Sequence, residues 1–381
     1  MNVRQNKIAA FAALGLTGAL ALSACGNGGS NGGDTSGDGD PGQAVEGGLG
    51  ELSGELAGAG ASSMQTAQTT WTESFMGLAQ AEGGDLQITY DSVGSGTGRE
   101  QFLGGAVQYA GSDAPLDEDE LEEAADVCQG GEAIDLPVYI SPIAIVYNLE
   151  GVDDLNLSPE VIAEIFNGDI TSWDDEKIAA DNPDADLPDT DIVPVHRSDS
   201  SGTTENFTNY LVETAGDAWP HEESGDWPIS GGQSGDGTSG LISVVEGGNG
   251  TIGYADAGQA GNLSIANLKV GENYVELSPE AAAQAVESSP REEGRGEHDI
   301  VVDLDRSIED DGAYPLVLIA YMIVCDTYAD QETADKVKGF TTYVISEDGQ
   351  NAAAENAGSA PLSESLREDA QAAVDSISAA G

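Results

Sequence analysis

Basic residues are scarce in this chain. Lysine and arginine number 12 against 69 aspartates and glutamates, which sets the formal charge at −57 over 381 residues. A surface of that sign repels nucleic acid and anionic lipid, and both are excluded as partners. Histidine occurs three times, at His196, His221 and His298, with no metal-ligand spacing among them. No His–Asp pairing and no metal cluster is legible, so a hydrolase would lack its base or its metal. The Gly-x-Ser-x-Gly match at Gly28 to Gly32 lies in low-complexity sequence, without the flanking strand and helix that a nucleophile elbow needs. Long apolar runs are lacking too: beyond the first 24 residues none is long enough to span a bilayer. Aromatic residues make up only 6%, yet an apolar fraction of 39% argues against disorder, and 381 residues suffice for two domains.

What is present begins with a leader. Arg4 and Lys7 precede an apolar run from Ile8 to Leu22, and Leu22-Ser23-Ala24-Cys25 follows. The short run and its flanks read as a secretory signal over residues 1–24. Leu-Ser-Ala-Cys resembles the lipobox of bacterial lipoproteins, in which the cysteine, here Cys25, is lipidated; an ordinary signal peptide or an anchor is the alternative. Residues 25–50, rich in Gly, Ser, Asn and Asp, read as a flexible tether. Acidic residues then appear in nearly every segment, as on surfaces adapted to high salt, where screening relieves self-repulsion.

Three strand–turn–helix passages stand out in the remaining chain. Ile192-Val193-Pro194-Val195 reads as a strand, His196 to Thr204 as a turn, and Asn206 to Leu211 as a helix. The turn carries a guanidinium at Arg197, hydroxyls, and a glycine that permits close backbone approach. A helix N-terminus adds unpaired N–H groups, and arginine can grip an oxyanion with two parallel hydrogen bonds, so the turn reads as an anion site or as a capped helix with a surface Arg197–Asp199 pair. A second passage runs from the strand Leu86–Tyr90 into Gly94-Ser95-Gly96-Thr97-Gly98-Arg99, and it has neither dinucleotide spacing nor a P-loop lysine. The third is Gly58-Ala59-Gly60-Ala61-Ser62-Ser63, where Ser62 suits an N-cap for a helix with Met64, Ala67, Trp71, Phe75 and Leu78 at helical spacing. Asp113 follows the strand Val107–Ala110 and precedes Pro115, as a helix-entry cap or a site group. The apolar runs Leu136–Leu149 and Leu316–Cys325 are long enough to pass between domains and back. Carboxylates between Asp181 and Asp191 lack EF-hand spacing and read as a solvated loop.

Five stretches in order resemble the phosphate-binding subunits of bacterial phosphate ABC transporters, the PstS family. They are Gly58 to Ser62, Val93 to Gly96, Gly111 to Pro115, Asn167 to Ile170 with Trp173-Asp174-Asp175, and Arg197 to Thr203; Ile252-Gly253-Tyr254 and Tyr314-Pro315 also fit. The resemblance spans roughly residues 52–380. It implies an α/β, two-domain periplasmic-binding-protein type II fold with two interdomain crossings: domain I from 51–138 plus 314–381, and domain II from 139–313. It also implies anion ligands at Ser62, Ser63, Ser95, Asp113, Arg197, Ser201, Gly202 and Thr203, with Asp199 holding the arginine. Many relatives have Thr followed by an aromatic where this chain has Ser62-Ser63, so residue 63 is expected to act through its backbone N–H, its side chain mattering less.

The expected function is capture of inorganic phosphate and its delivery to ABC permease subunits, by a monomer that is no enzyme, needs no cofactor or metal, and meets the membrane only through a lipid anchor outside the cell membrane. Phosphate near neutral pH still carries a proton, which a carboxylate such as Asp113 can accept in a hydrogen bond. Sulfate has none to give, and a site built to bond a group rejects the analogue lacking it. Another oxyanion (sulfate, molybdate) or a secreted phosphatase-like enzyme is the alternative. With Cys25 lipidated, Cys128 and Cys325 remain as an even pair, which suggests a disulfide in an exported chain; free buried thiols are the alternative.

Overall fold

The long apolar run becomes a 16-residue strand, Ala133–Asn148, buried at every position but its last. Burial on both faces explains its unbroken hydrophobicity. The computed structural model describes residues 39–381 except Asp311; the leader, Cys25 and most of the tether expected over 25–50 lie outside the described residues. From Ala133 to Pro142 the long strand pairs antiparallel with Val317–Cys325, and from Ile143 to Asn148 it pairs antiparallel with Thr251–Asp256. It therefore belongs to both halves of one sheet.

The first half adds Asp85–Ser92, Ser53–Gly60 and Tyr109–Ser112, in that order, up to Val317–Cys325. The second adds Val193–Arg197 and then Gln233–Gly235 beyond Thr251–Asp256. Ser53–Gly60 is parallel to both of its neighbours, and so is Val193–Arg197. Parallel neighbours need crossovers, and helices supply them: Gln65–Glu82 and Ser95–Leu103 in the first half, Gly202–Thr214 in the second. In such sheets ligands bind beyond the carboxyl ends of the strands. The turns singled out above all lie there, after Gly60, Ser92, Ser112 and Arg197.

Ala67, Trp71, Phe75 and Ala79 recur every four residues on the buried face of Gln65–Glu82, which ends on Gly83 in the left-handed region. Two expectations need correction here. Ser62 is not the cap: Met64 occupies that position without a side-chain cap bond, and the Ser62 hydroxyl is engaged elsewhere. Leu78, off the four-residue stripe, is 42% exposed. A helix start also differs. The helix expected from Asn206 begins at Gly202 because Ser201 caps it. A six-residue helix, Glu176–Asp181, capped by Asp175, was not expected.

Helix Ser95–Leu103 packs so closely on the first strand that a Cβ on Gly98 would lie 2.4 Å from the Gly60 Cα. Cys128, at the end of helix Glu118–Val127, is bonded to Cys325, at the end of the return strand, across 197 residues. Closing so long a loop constrains the unfolded chain, and we expect reduction to lower stability by about 2–4 kcal/mol. Thermal melts with and without reductant check this; an unchanged midpoint would show that the bond contributes nothing.

Candidate functional site

Asp113 is the centre of the site. It follows strand Tyr109–Ser112 and is only 3% exposed. Its Oδ1 accepts from the Ser63 hydroxyl at 2.5 Å and its Oδ2 from the Thr203 hydroxyl at 2.8 Å. Its own N–H donates to Ser95 Oγ at 3.1 Å. Burial pushes this carboxyl above the ordinary range, against the pull of the Ser63 and Thr203 hydrogen bonds and the charges of Arg197 and Arg99. Each oxygen has a second lone pair for another donor. The Ser63 hydroxyl thus has a task, where its side chain was expected to matter less than its backbone N–H.

Arg197 ends its strand and is 3% exposed. Nε donates to Asp199 Oδ1 at 2.8 Å and Nη2 to Asp199 Oδ2 at 2.5 Å. Burial would raise the Asp199 carboxyl, but the guanidinium and the Gly237 N–H at 3.0 Å outweigh it and hold it below its usual value. The fork is fixed in one rotamer, with Nη1 turned toward Thr238 Oγ1 at 3.5 Å. Ser62 Oγ lies 3.0 Å from Thr238 Oγ1 and accepts the Thr238 N–H at 3.0 Å. Ser201 Oγ accepts the Thr204 N–H at 3.2 Å, which leaves its hydrogen to donate.

Gly202 admits no side chain. An added Cβ would meet Ser95 Oγ at 2.6 Å and Asp113 Cβ at 2.8 Å. Gly202→Ala is expected to force apart these two elements from opposite halves of the sheet. At about 2 kcal/mol for such overpacking, anion affinity should fall about thirtyfold. Calorimetric titration of the variant, with its melting point as a control, decides the matter; unchanged affinity would mean the elements do not need this approach.

The site so built gathers hydroxyls, helix N-terminal N–H groups and one guanidinium around a single buried carboxylate. Donors alone would suit any oxyanion; the carboxylate suits one that still carries a proton. A cavity of about 530 Å³ opens beside it, lined by Asp113, Glu205, Glu213, Glu223, Asn206 and Arg306 among others. Burial pushes the Glu205 carboxyl up to about 7, although Arg99 pulls the other way.

A family model described as a PBP superfamily domain matches residues 42–348. The phosphate-binding protein PstS 2 of Mycobacterium tuberculosis is 35% identical over 370 residues, covering 95% of this chain and 96% of that protein. The chain belongs to the PstS family of phosphate-binding proteins. PstS 3 of the same organism is 33% identical over 385 residues, covering 98% of this chain and 100% of that one. A high-affinity periplasmic phosphate-binding protein (PfluDING), solved with phosphate bound, shares the fold, with a TM-score of 0.68 at 23% identity over 84% of this chain and 93% of that chain. The architecture is the periplasmic-binding-protein type II fold.

In this PstS-family chain the structure brings all eight called residues close to one another, and Asp199 takes the place beside Arg197 that the resemblance implies. Several partners escaped the sequence reading. Thr238 links Ser62 to Arg197, and Gly237-Thr238-Ser239-Gly240 repeats the hydroxyl-between-glycines pattern of Ser95, a signal that could have found it. Gln259 Nε2 donates to the Ser62 and Ser63 carbonyls at 2.8 and 2.6 Å. The Tyr254 hydroxyl meets Thr204 Oγ1 at 2.8 Å and accepts the Arg197 N–H at 3.3 Å. Nothing local marks Gln259, and Tyr254 was noted only as part of the Ile252-Gly253-Tyr254 match, with no role at the site. His196 stacks on Trp227 with ring centres 5.2 Å apart. Among the described residues no helix is long and apolar enough to cross a membrane.

Proposed function

We propose that this protein captures inorganic phosphate in a cleft between two domains, residues 51–138 with 314–381 and residues 139–313, and delivers it to the permease of an ABC importer. The observation that carries the reading is Asp113, a buried carboxylate held among hydroxyl donors opposite Arg197. The anion's oxygens meet Ser62, Ser63, Ser95, Arg197, Ser201, Gly202 and Thr203, and Asp113 accepts a hydrogen bond from the protonated phosphate oxygen. Names borne by relatives support the ligand: the two mycobacterial PstS proteins are called phosphate-binding, and the PfluDING structure holds phosphate. The mature chain works outside the cell membrane as a monomer anchored through lipidated Cys25, needs no cofactor, and binds rather than hydrolyses.

The test is calorimetric titration of the chain, stripped of endogenous ligand, with phosphate and then sulfate in high salt. Tight phosphate binding without a sulfate response is the expected result. Equal binding of the two would overturn the ligand assignment. Turnover of a chromogenic phosphate ester would overturn the binding-only reading. With a net charge of −57, anion association should quicken as salt screens the field.

A further inference from the structure

Arg306 is 3% exposed, and among the described residues no carboxylate lies in ion-pair contact with it, in a chain that has 69 acidic residues. Its guanidinium is spent on neutral oxygens. Nε donates to Asn209 Oδ1 at 3.0 Å, Nη1 to the carbonyls of Pro315 at 2.9 Å and Val317 at 2.6 Å, and Nη2 to Asn206 Oδ1 at 2.6 Å. Burial pulls its pKa down to about 10, which still leaves it charged at neutral pH. Glu213 and Glu223 favour its charge from a distance, but a buried cation with no carboxylate in direct contact is still costly, and such groups persist where they hold something in place.

What Arg306 holds is the amide of Asn206, itself 8% exposed. Asn206 Nδ2 donates to the Asp113 carbonyl at 2.7 Å and to the Gly202 carbonyl at 3.0 Å. Only one orientation of the amide works. The guanidinium has donors and no acceptor, while the two carbonyls have acceptors and no donor, so a turned amide would lose every bond. Asp113 belongs to the first half of the sheet, whereas Asn206 and Gly202 belong to the second. The Asn206–Asp113 bond therefore spans the two halves, at the residue whose carboxylate the Thr203 hydroxyl also meets. Arg306 fastens this amide to Pro315 and Val317, where the return strand starts.

We propose that Asn206 is a latch that holds the cleft closed over its anion, and that Arg306 is the positioning residue that keeps the latch aimed by tying it to the return strand. The proposal rests on the phosphate-binding reading above. A bond that forms only after the halves meet slows escape and leaves entry unchanged.

The test follows association and release of radiolabelled inorganic phosphate from the full chain, in wild type, Asn206→Leu, Arg306→Lys and the double variant. Asn206→Leu is expected to speed release about tenfold and to leave association within about twofold. Arg306→Lys keeps the charge without the planar fork and should speed release about fivefold. In the Asn206→Leu background the lysine substitution should add nothing, because Arg306 acts through Asn206. Should Asn206→Leu not fold, Asn206→Ser replaces it in the same comparison. Release from the Asn206 variant at the wild-type rate overturns the latch. Equal acceleration by Arg306→Lys with and without Asn206, or a slowed association that tracks a lowered ligand-free melting point, overturns the positioning role. A wild-type chain that binds no phosphate sinks the phosphate reading, and the latch with it, a result that no variant comparison mimics.

Discussion

Arg197→Met should weaken phosphate binding about a thousandfold, some 4 kcal/mol, the cost typical of truncating one member of a buried charge pair. Two losses combine. The site forfeits the guanidinium that, among the described residues, alone lies in hydrogen-bond reach of Asp199, and Asp199 is left without the partner that neutralises it. An unpaired carboxylate beside an anion site repels the ligand as well as losing it a contact. The double variant Arg197→Met with Asp199→Asn should therefore bind phosphate about tenfold better than Arg197→Met alone, a non-additivity that residues in direct contact show. Arg197→Lys should fall between, since an ammonium keeps the charge but cannot pair with Asp199 in a planar fork. Calorimetric titration of wild type, Arg197→Met, Asp199→Asn and the double variant checks the cycle. Strict additivity would mean that Asp199 does nothing for the anion through Arg197.

The second large effect concerns selectivity. Wild-type protein should prefer phosphate over sulfate by about 10⁴-fold, and Asp113→Asn should cut that ratio to about tenfold, because an amide no longer demands a proton from the ligand. The physical cost in the wild type is a sulfate oxygen facing a buried carboxylate oxygen. The pH dependence follows from the sign of the Asp113 shift. Its folded value lies above the ordinary carboxylate range, so ionising it costs the ligand-free fold stability as pH rises through that interval. Read the other way, Asp113 takes up a proton before ordinary carboxylates do as pH falls. Protonated, it can donate to sulfate, and sulfate competition should strengthen on acidification starting above the ordinary carboxylate range. In Asp113→Asn that dependence should vanish. Competition titrations over pH test both statements, and a wild-type ratio that stays flat on acidification would remove Asp113 from the discrimination.

How much of this was legible depended on the range of the interactions. The crossing strands could be read because residues buried on both faces leave long apolar runs, Leu136–Leu149 and Leu316–Cys325. The turns at Ser95, Asp113 and Arg197 could be read because glycines and hydroxyls sit next to the strands that present them. Ser62 was misread as a cap because its real partner, Thr238, lies 176 residues away. Ser63 was undervalued for the same reason, its hydroxyl being taken by a carboxylate 50 residues on. Arg306 sits in an acidic loop, Asp303 to Asp310, where its sequence neighbours predict a solvated surface arginine. Only the folded chain shows that its guanidinium turns inward to Asn206 and the return strand. Leu78 failed in the opposite sense: periodicity placed it on the buried stripe, and packing left it 42% exposed.

The two crossing strands also limit how such a protein can move. Ala133–Pro142 and Val317–Cys325 form one antiparallel ribbon, with its register slipping between Ala320 and Tyr321, opposite Tyr139 and Pro137. Cys128 and Cys325 rivet it at one end. Sliding one strand past the other would break every rung at once, whereas flexing where the register slips disturbs the ladder only where it is already irregular. The ribbon thus resists shear far more than it resists bending.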